Sequence, residues 1–471
     1  GTGVFTSRLP QLWPGNAFTN NGQSAAVAAG GSFAGPVPLR RPQNGLTQFD
    51  DAGIFGGGAF GATPPSSVDE LTPTGNLTLF RNDFTYPRVL RTTLGIDHEL
   101  PFGFTGTLEG QYSSKLNDVI VKNVNLKQPN ANLDAGQTND DRPIYTQPRD
   151  PNTDIGVDPR YGDVYLLDNT DKGYSYTVTG RLRKAPTPVW EGGTVRGQVS
   201  YTYGDSRGLN QFGDTVGSNW GDNPHASTTN NLTLGRSPFS LGHRIQLSLG
   251  YRQELTENVS TNLSLFYNGQ SGRPFSYTIG GGAAETMIGD EGGPPLFYIP
   301  EDASNLQFAP IKDGNGDVIR TPQQQAQDLD RFIENVDYLS ENRGEYATRN
   351  GDRTPFEGVV DLQFALNFSG ELVGRKQQLT LTANVFNFSS MLGDIFGTEW
   401  GYRYQQAGLV SPVNFVRFTD EDGDGNPTPV YQSALGTENP ETNLEESFDV
   451  QSGTQTYSTL YQVRLGVKYT F

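Results

Sequence analysis

The residues best placed to do chemistry in this chain are acidic. In the run DEDGDGN, Asp420, Asp422 and Asp424 alternate ahead of Gly425. That spacing matches the first half of a calcium loop, in which alternate positions supply hard oxygen ligands and glycine makes the sharp turn. The twelfth position of such a loop is Tyr431 rather than glutamate, so an EF-hand is excluded. Asp420, Asp422 and Asp424 are a candidate calcium site, and calcium is the one cofactor that the sequence suggests. A plain acidic turn accounts for the same residues. Asp313, Asn315 and Asp317 form a weaker copy, with Val318 where glycine would be wanted.

Other reactive groups are few. The chain has no cysteine, which removes thiol catalysis, disulfides and thiolate metal sites together. Its histidines, His98, His225 and His243, fall in no two-histidine metal spacing, which argues against a zinc hydrolase. A Ser–His–Asp triad could be assembled on paper, but no nucleophile elbow of the G-x-S-x-G type accompanies it. No catalytic residue is assigned and an enzyme is not expected. The net charge of −18 disfavours nucleic acid as a partner, because phosphate backbones attract basic surfaces.

The elements that must carry these residues are strands. Glycine supplies 58 of 471 residues and the hydrophobic fraction is only 34%, yet aromatics reach 11%. Disordered chains lack such aromatics, and helical bundles tolerate so much glycine and proline poorly. No run of about 20 apolar residues exists to form a membrane helix. What the sequence has is period-2 alternation. In TVRGQVSYTYG (194–204), Val195, Val199, Tyr201 and Tyr203 oppose Arg196, Gln198, Ser200 and Thr202. In GYSYTVTGRLRK (173–184), Tyr174, Tyr176, Val178 and Leu182 oppose Ser175, Thr177, Thr179, Arg181 and Arg183. Residues 243–254, 259–268 and 455–471 repeat the pattern.

A soluble antiparallel sandwich and a transmembrane barrel both produce this alternation. Strand length, aromatics near strand ends and the order of connections favour the barrel. A strand over 88–99 meets a tight turn at Pro101–Gly103, and the next, over 104–126, leads into a long polar stretch to about 163. The Ala185–Gly193 link is short, the 205–241 loop long, the Thr256–Asn258 turn short and the 269–355 loop very long. Strands over 357–369 and 376–388 share a short turn before a final long excursion. Short turns at one end and long loops at the other are the pattern of outer-membrane barrels. Within the longest loop, Thr321-Pro322 followed by Leu329, Phe332, Ile333 and Val336 predicts a capped helix with one apolar stripe. The chain closes on an alternating strand whose last residue is Phe471, as bacterial outer-membrane barrels do.

Several stretches resemble a known family. They are GTGVFTSRLPQLW (1–13), YPRVLRTTLGIDHELPFGF (86–104), SNW (218–220), LGHRIQLSLGYR (241–252), SLFYNGQSGRPFSYT (264–278), YLSENRGEYATRNGDRTPF (338–356) and TLTANVFNFSSMLG (380–393). Together they resemble the C-terminal half of Oar-like TonB-dependent outer-membrane receptors of Bacteroidota and myxobacteria. The resemblance implies an all-β fold, part of a 22-stranded transmembrane barrel with long extracellular loops in the outer membrane of a Gram-negative bacterium. It makes residues 1–471 the C-terminal portion of that barrel, without the plug domain. It also implies partners: membrane lipid, an N-terminal plug and barrel half, the inner-membrane TonB energy-transducing complex reached through that plug, and the barrel-assembly machinery that reads Phe471. About 9 or 10 membrane strands are expected here, too few to close the family's barrel alone.

The expected function is active uptake of a substrate through the barrel. The alternative is a scaffold or adhesin-like barrel that binds a surface lipoprotein, other surface proteins or glycans without transport. Lumen- or plug-facing candidates are Arg181, Arg196, Gln198, Arg244, Arg252, Arg464 and Lys468, residues that a merely wetted lumen would also carry. Candidates for substrate contact in the loops are Trp220, Phe275, Tyr277, Trp400, Tyr402 and Tyr404, residues that packing of loops on one another would also use.

Overall fold

The structure is a computed structural model that describes residues 1–9, 75–133, 139–145, 156–158, 161–211, 213–281, 287–290, 292–372, 375–397, 400–401, 408–419, 427–435 and 460–471. Three strands pair off to the side, and ten antiparallel strands form the main path of one sheet in chain order. They are β1 (Thr2–Thr6), β2 (Arg88–Leu100), β3 (Phe104–Asn123), β4 (Tyr174–Trp190), β5 (Gly193–Gly208), β6 (Gly242–Thr256), β7 (Val259–Gln270), β8 (Glu357–Leu372), β9 (Arg375–Phe386) and β10 (Gln462–Thr470). Among the described residues, β1 and β10 each have one ladder partner in this sheet, so the path is open at both ends.

The register carries the alternation of each strand across the whole sheet. One row pairs Leu100, Phe104, Lys184, Gly197, Leu249, Leu265, Leu362, Val385 and Val463 in turn. Another pairs Ile96, Leu108, Gly180, Tyr201 and Ile245. On the opposite face, Arg196, Gly250, Ser264, Gln363, Asn384 and Arg464 form a polar row. A soluble sheet would turn its apolar face onto a core. This one bares it: Leu94 is 79% exposed, Leu465 78% and Val467 74%. A water-facing sheet of this size could not sustain such a surface, whereas a lipid-facing one requires it. The fold is therefore all-β and antiparallel, the wall of a transmembrane barrel, and the sandwich is set aside.

Aromatic residues mark the two ends of the apolar band. Toward the long loops Tyr176 lies 6.0 Å from Tyr203, and Tyr203 lies 4.8 Å from His243, whose Nδ1 is 2.6 Å from the Tyr201 hydroxyl. Toward the short turns Trp190 lies 5.4 Å from Tyr251 and Tyr469 lies 6.0 Å from Phe471. Lys184 sits over the Phe104 ring at 4.9 Å and donates to the Phe102 carbonyl, so its ammonium reaches the polar boundary. From Tyr174 to Lys184 the strand climbs about 33 Å, or roughly 25 Å at a 40° tilt, which is the height of a lipid-facing band.

The connections keep the expected parity, with one shift. Pro101–Gly103 makes the β2–β3 turn, helped by left-handed Phe102 and Gly103, φ 63° and 71°. The Ala185–Gly193 link is largely strand: β4 runs on to Trp190 and turns at Glu191-Gly192. Register shifts at Lys184/Thr187 and Pro188/Trp190 absorb Pro186 and Pro188, which lack the N–H that regular pairing needs. The long connections all leave from the opposite end of the sheet. In one of them the expected capped helix runs over Pro322–Asn335. The Thr321 hydroxyl accepts from the Gln324 N–H at 3.3 Å and the Gln324 side chain accepts from the Thr321 N–H at 2.9 Å.

Placing a charge on the bared face should be costly only on that face. Ile96→Lys, midway between the aromatic belts, should destabilise the intact protein in its membrane by about 2–4 kcal/mol. Gln111→Lys, on the polar face, should cost under about 1 kcal/mol. Heat-modified mobility on gels after graded urea exposure reads both.

Candidate functional site

The polar face is lined by residues whose side chains the pleat directs away from the apolar band. Arg181, Arg196, Gln198, Arg244, Arg252, Arg464 and Lys468 all lie on it by register. Neighbouring strands hold several of them. Arg181 donates to the Thr107 hydroxyl at 3.1 Å, Arg244 donates to Asn268 Oδ1 at 3.1 Å, and Arg464 lies 5.4 Å above the Phe386 ring. Arg196 and Arg252 come together with Glu254, Asn262 and Ser264 around a concavity of about 360 Å³ near the short-turn end. Gly250 makes room for this: a Cβ there would stand 2.7 Å from Arg196 Nε.

The long-loop end carries a packed cap whose interior is the hydrophobic core of the described chain. One cluster joins Phe275, Tyr277, Ile279, Phe297 and Ile299 to Leu329, Phe332 and Ile333 of the Pro322–Asn335 helix. It lies against a five-stranded sheet of short segments in the order Gln307–Phe308, Thr428–Ser433, Leu409–Thr419, Pro274–Gly280, Asp352–Arg353. A second cluster gathers Val119 and Val121 from the end of β3, Tyr165 and Leu167 from a strand over Tyr161–Thr170, and Val216 and Trp220 from the short helix Val216–Gly221.

Arginines fasten the cap by donating to backbone carbonyls that the irregular loops leave open. Arg349 reaches the Leu209 and Gly208 carbonyls. Arg236 donates to the Asn350 and Gly351 carbonyls at 2.9 and 2.7 Å, and Arg353 to those of Ser240 and Gly272 at 3.1 and 3.0 Å. The stretch 338–356 thus ties the 271–356 connection to the 209–241 connection. Burial lowers Arg349 to about 10. Deeper in the cap, Arg142 is fully buried in a forked pair with Asp140, at 2.8 Å through both Nε and Nη2. Burial pulls Arg142 down, but the Asp140 carboxylate outweighs it and holds it above its ordinary value. Tyr346 donates to the same carboxylate at 2.9 Å and stacks under the guanidinium.

Several expected contact residues have another role. Trp220, Phe275 and Tyr277 are buried inside the cap, at 3%, 0% and 0% exposure. They are corrected from substrate contacts to core: the cap has apolar interior of its own, and large aromatics fill it. Tyr277 donates to Asp352 at 3.0 Å, and Trp220 donates to Asn230 at 2.9 Å. Trp400 is exposed beside Phe396. Tyr402, Tyr404 and the candidate calcium residues Asp420, Asp422 and Asp424 lie outside the described residues. Asp313 Oδ1 accepts the N–H groups of Asn315 and Asp317, both at 2.9 Å, which makes the group a turn between Ile311–Lys312 and Val318–Arg320. Among the described residues no three histidine or acidic side chains are grouped as metal ligands. The arginine clamps went unread in the sequence, although four arginines lie between 343 and 353 or at 236 in polar, turn-rich stretches.

No family model matches the chain, and no curated protein matches it. Among solved structures it is similar to the outer membrane transporter YddB from Escherichia coli, at 11% identity and a TM-score of 0.30. The match covers 67% of this chain and 30% of that one, so the chain spans less than a third of the transporter's length.

Two outcomes test the cap. Arg349→Met, which leaves two buried carbonyls unpaired, should destabilise the cap by about 3 kcal/mol, read as faster proteolysis within 209–241 while the wall stays heat-modifiable. Alkali should also open it. Burial, and secondly Asp290, push Tyr145 from 10 up to about 12. A raised folded value means that Tyr145's contribution is complete below pH 10 and is lost as pH climbs through about 12. Tyr277, Tyr346 and Tyr431 are raised in the same direction by burial. Phenolate absorbance should therefore rise in one cooperative step with protease sensitivity of the loops, after the exposed tyrosines have titrated.

Proposed function

We propose that the chain is the C-terminal part of a TonB-dependent outer-membrane receptor barrel that takes up a substrate actively, with the polar face lining the lumen and the long-loop cap outside the cell. The observation that carries this reading is the open sheet. In lipid, an unpaired strand edge exposes N–H and C=O groups that nothing can satisfy. Among the described residues β1 and β10 pair with β2 and β9 and not with each other. Further strands must therefore lie between them, and a wall of ten plus those further strands encloses a lumen too wide for side chains to fill. A lumen of that width needs a plug to be selective. Cationic side chains on the polar face, such as Arg196 and Arg252, the latter 3.5 Å from Glu254, suit a plug with acidic surface, and coupling through the plug to an inner-membrane TonB complex fits the family resemblance.

The intact mass of the polypeptide in a detergent-solubilised outer-membrane fraction tests the reading, together with peptides upstream of Gly1. A polypeptide well above 51.3 kDa, or a 51.3 kDa chain with a tightly bound plug-bearing partner, supports it. A 51.3 kDa chain folded alone overturns it. In the complete receptor, Arg196→Glu with Arg252→Glu should loosen the plug, seen as higher single-channel conductance in planar bilayers; unchanged conductance would count against the plug-facing role.

A further inference from the structure

A second concavity lies on the bared face of the wall, toward the short-turn end. It holds about 450 Å³ and crosses from β2 to β5. Ile96, Leu108, Leu182 and Val199 form its sides, and Gly106 and Gly180 its floor. The register explains the hollow. The rows His98–Gly106–Leu182–Val199, Ile96–Leu108–Gly180–Tyr201 and Leu94–Gly110–Val178–Tyr203 follow one another on the same face, and their glycines alternate between β3 and β4. At Gly110 and Gly180 an added Cβ would meet nothing within 4 Å. From Gly110 to Phe104 the furrow runs about 20 Å along β3, or roughly 15 Å in height at a 40° tilt, which is one leaflet of hydrocarbon.

Two nitrogen-bearing side chains stand at its short-turn end. His98 is exposed in the lining and makes no side-chain hydrogen bond among the described residues. Lys184 lies one row nearer the turn, on the same face, and makes no ion pair among the described residues. Its ammonium donates to the Phe102 carbonyl and keeps further N–H groups to give. Across two strand spacings and one row, the two residues are about 12 Å apart at their Cα atoms.

A hollow in a wall bathed in hydrocarbon must be filled, or its lining forfeits dispersion contacts. An imidazole with no partner, and an ammonium with N–H groups to spare, need acceptors that hydrocarbon lacks. A lipid that lays one acyl chain in the furrow answers the first need, and its ester and phosphate oxygens answer the second. With no carboxylate in the lining, the ammonium favours a negative headgroup. We infer that the furrow holds one anionic glycerophospholipid, its acyl chain on Gly106 and Gly180, its phosphate at Lys184 and an ester oxygen at His98. The inference rests on the receptor reading only in placing the short-turn end at the periplasm, where the leaflet is glycerophospholipid.

The test is native mass spectrometry of the intact protein, delipidated in detergent and titrated with palmitoyl-oleoyl phosphatidylglycerol, with the matching phosphatidylethanolamine or with lipid A. One phosphatidylglycerol is expected to survive activation that strips the other lipids. Gly180→Leu, which fills the furrow at an open position, should cut the retained fraction at least tenfold. Lys184→Gln should cut it several-fold and level the preference over phosphatidylethanolamine. Val467→Ala, on the same face of β10, should leave it unchanged. Heat-modified mobility checks that each variant is folded, and if Gly180→Leu is not, Lys184→Gln decides. No retained lipid, equal retention in all variants, preference for lipid A, or a dimer that Gly180→Leu dissociates would overturn the inference. None of these outcomes touches the uptake reading, which has its own test by mass and conductance.

Discussion

The structure depends on one requirement: in a medium without water, each backbone N–H and C=O must find its partner within the protein. Ten strands meet it by lateral pairing, and that choice dictates the sequence. Once the ladders are antiparallel and in register, the side chains have only two directions. One set must tolerate lipid, the other water. Leu465, Val467 and Tyr469 go outward while Arg464 and Lys468 of the same strand go inward, and their partners on β9 follow the same division. Glycine enters the wall where a row would otherwise be crowded, as at Gly250 beneath Arg196. The requirement also explains why an open path through ten strands is an incomplete object in a bilayer.

Outside the band the requirement changes and so does the solution. β3 passes through both regimes. From Phe104 to Ser114 it pairs with β4 and alternates. From Asp118 to Asn123 it pairs with the Tyr161–Thr170 strand and is buried on nearly every side. Alternation gives way to continuous burial where the strand leaves the lipid and enters the cap. There, irregular backbone replaces ladders, and arginine takes over the role of neighbouring strands. Arg236, Arg349 and Arg353 each supply two or more N–H groups to backbone carbonyls of other segments. A guanidinium suits this because its donors are fixed in a plane and it stays charged even when burial lowers its value, as at Arg349.

Most of the wall was legible in the sequence, because period-2 alternation and turn placement are local. The strands near 194–204, 243–254 and 259–268 and the parity of short and long connections all follow from residues within one or two turns of each other. The helix over Pro322–Asn335 was legible for the same reason: its cap and its stripe are local signals. The extension of β4 to Trp190 was hidden because two prolines read as a break, while the sheet absorbs them in bulges. The cap was harder. Trp220, Phe275 and Tyr277 sit in loops rich in Asn, Gly and Asp, where an aromatic reads as a contact residue. Their burial comes from segments far apart in the chain, such as the pairing of residues 276–280 with 409–414. Tertiary packing of that kind leaves no periodic trace.

The hydrogen bonds of Asn123 join the two regimes. It ends β3, is wholly buried, and through side chain and backbone touches Asp163, Val164, Asn125 and Asn230. Asn230 in turn holds Trp220, so this part of the cap's core is braced on a wall strand rather than on another loop. Rigid strands position side chains more closely than loops do, and a cap built on loops alone would lose that order. The cap is thus an outgrowth of the wall, ordered by the end of the sheet beneath it. An asparagine can do this where an apolar residue could not: its amide donates and accepts at once, which meets the needs of the segments converging on the end of one strand.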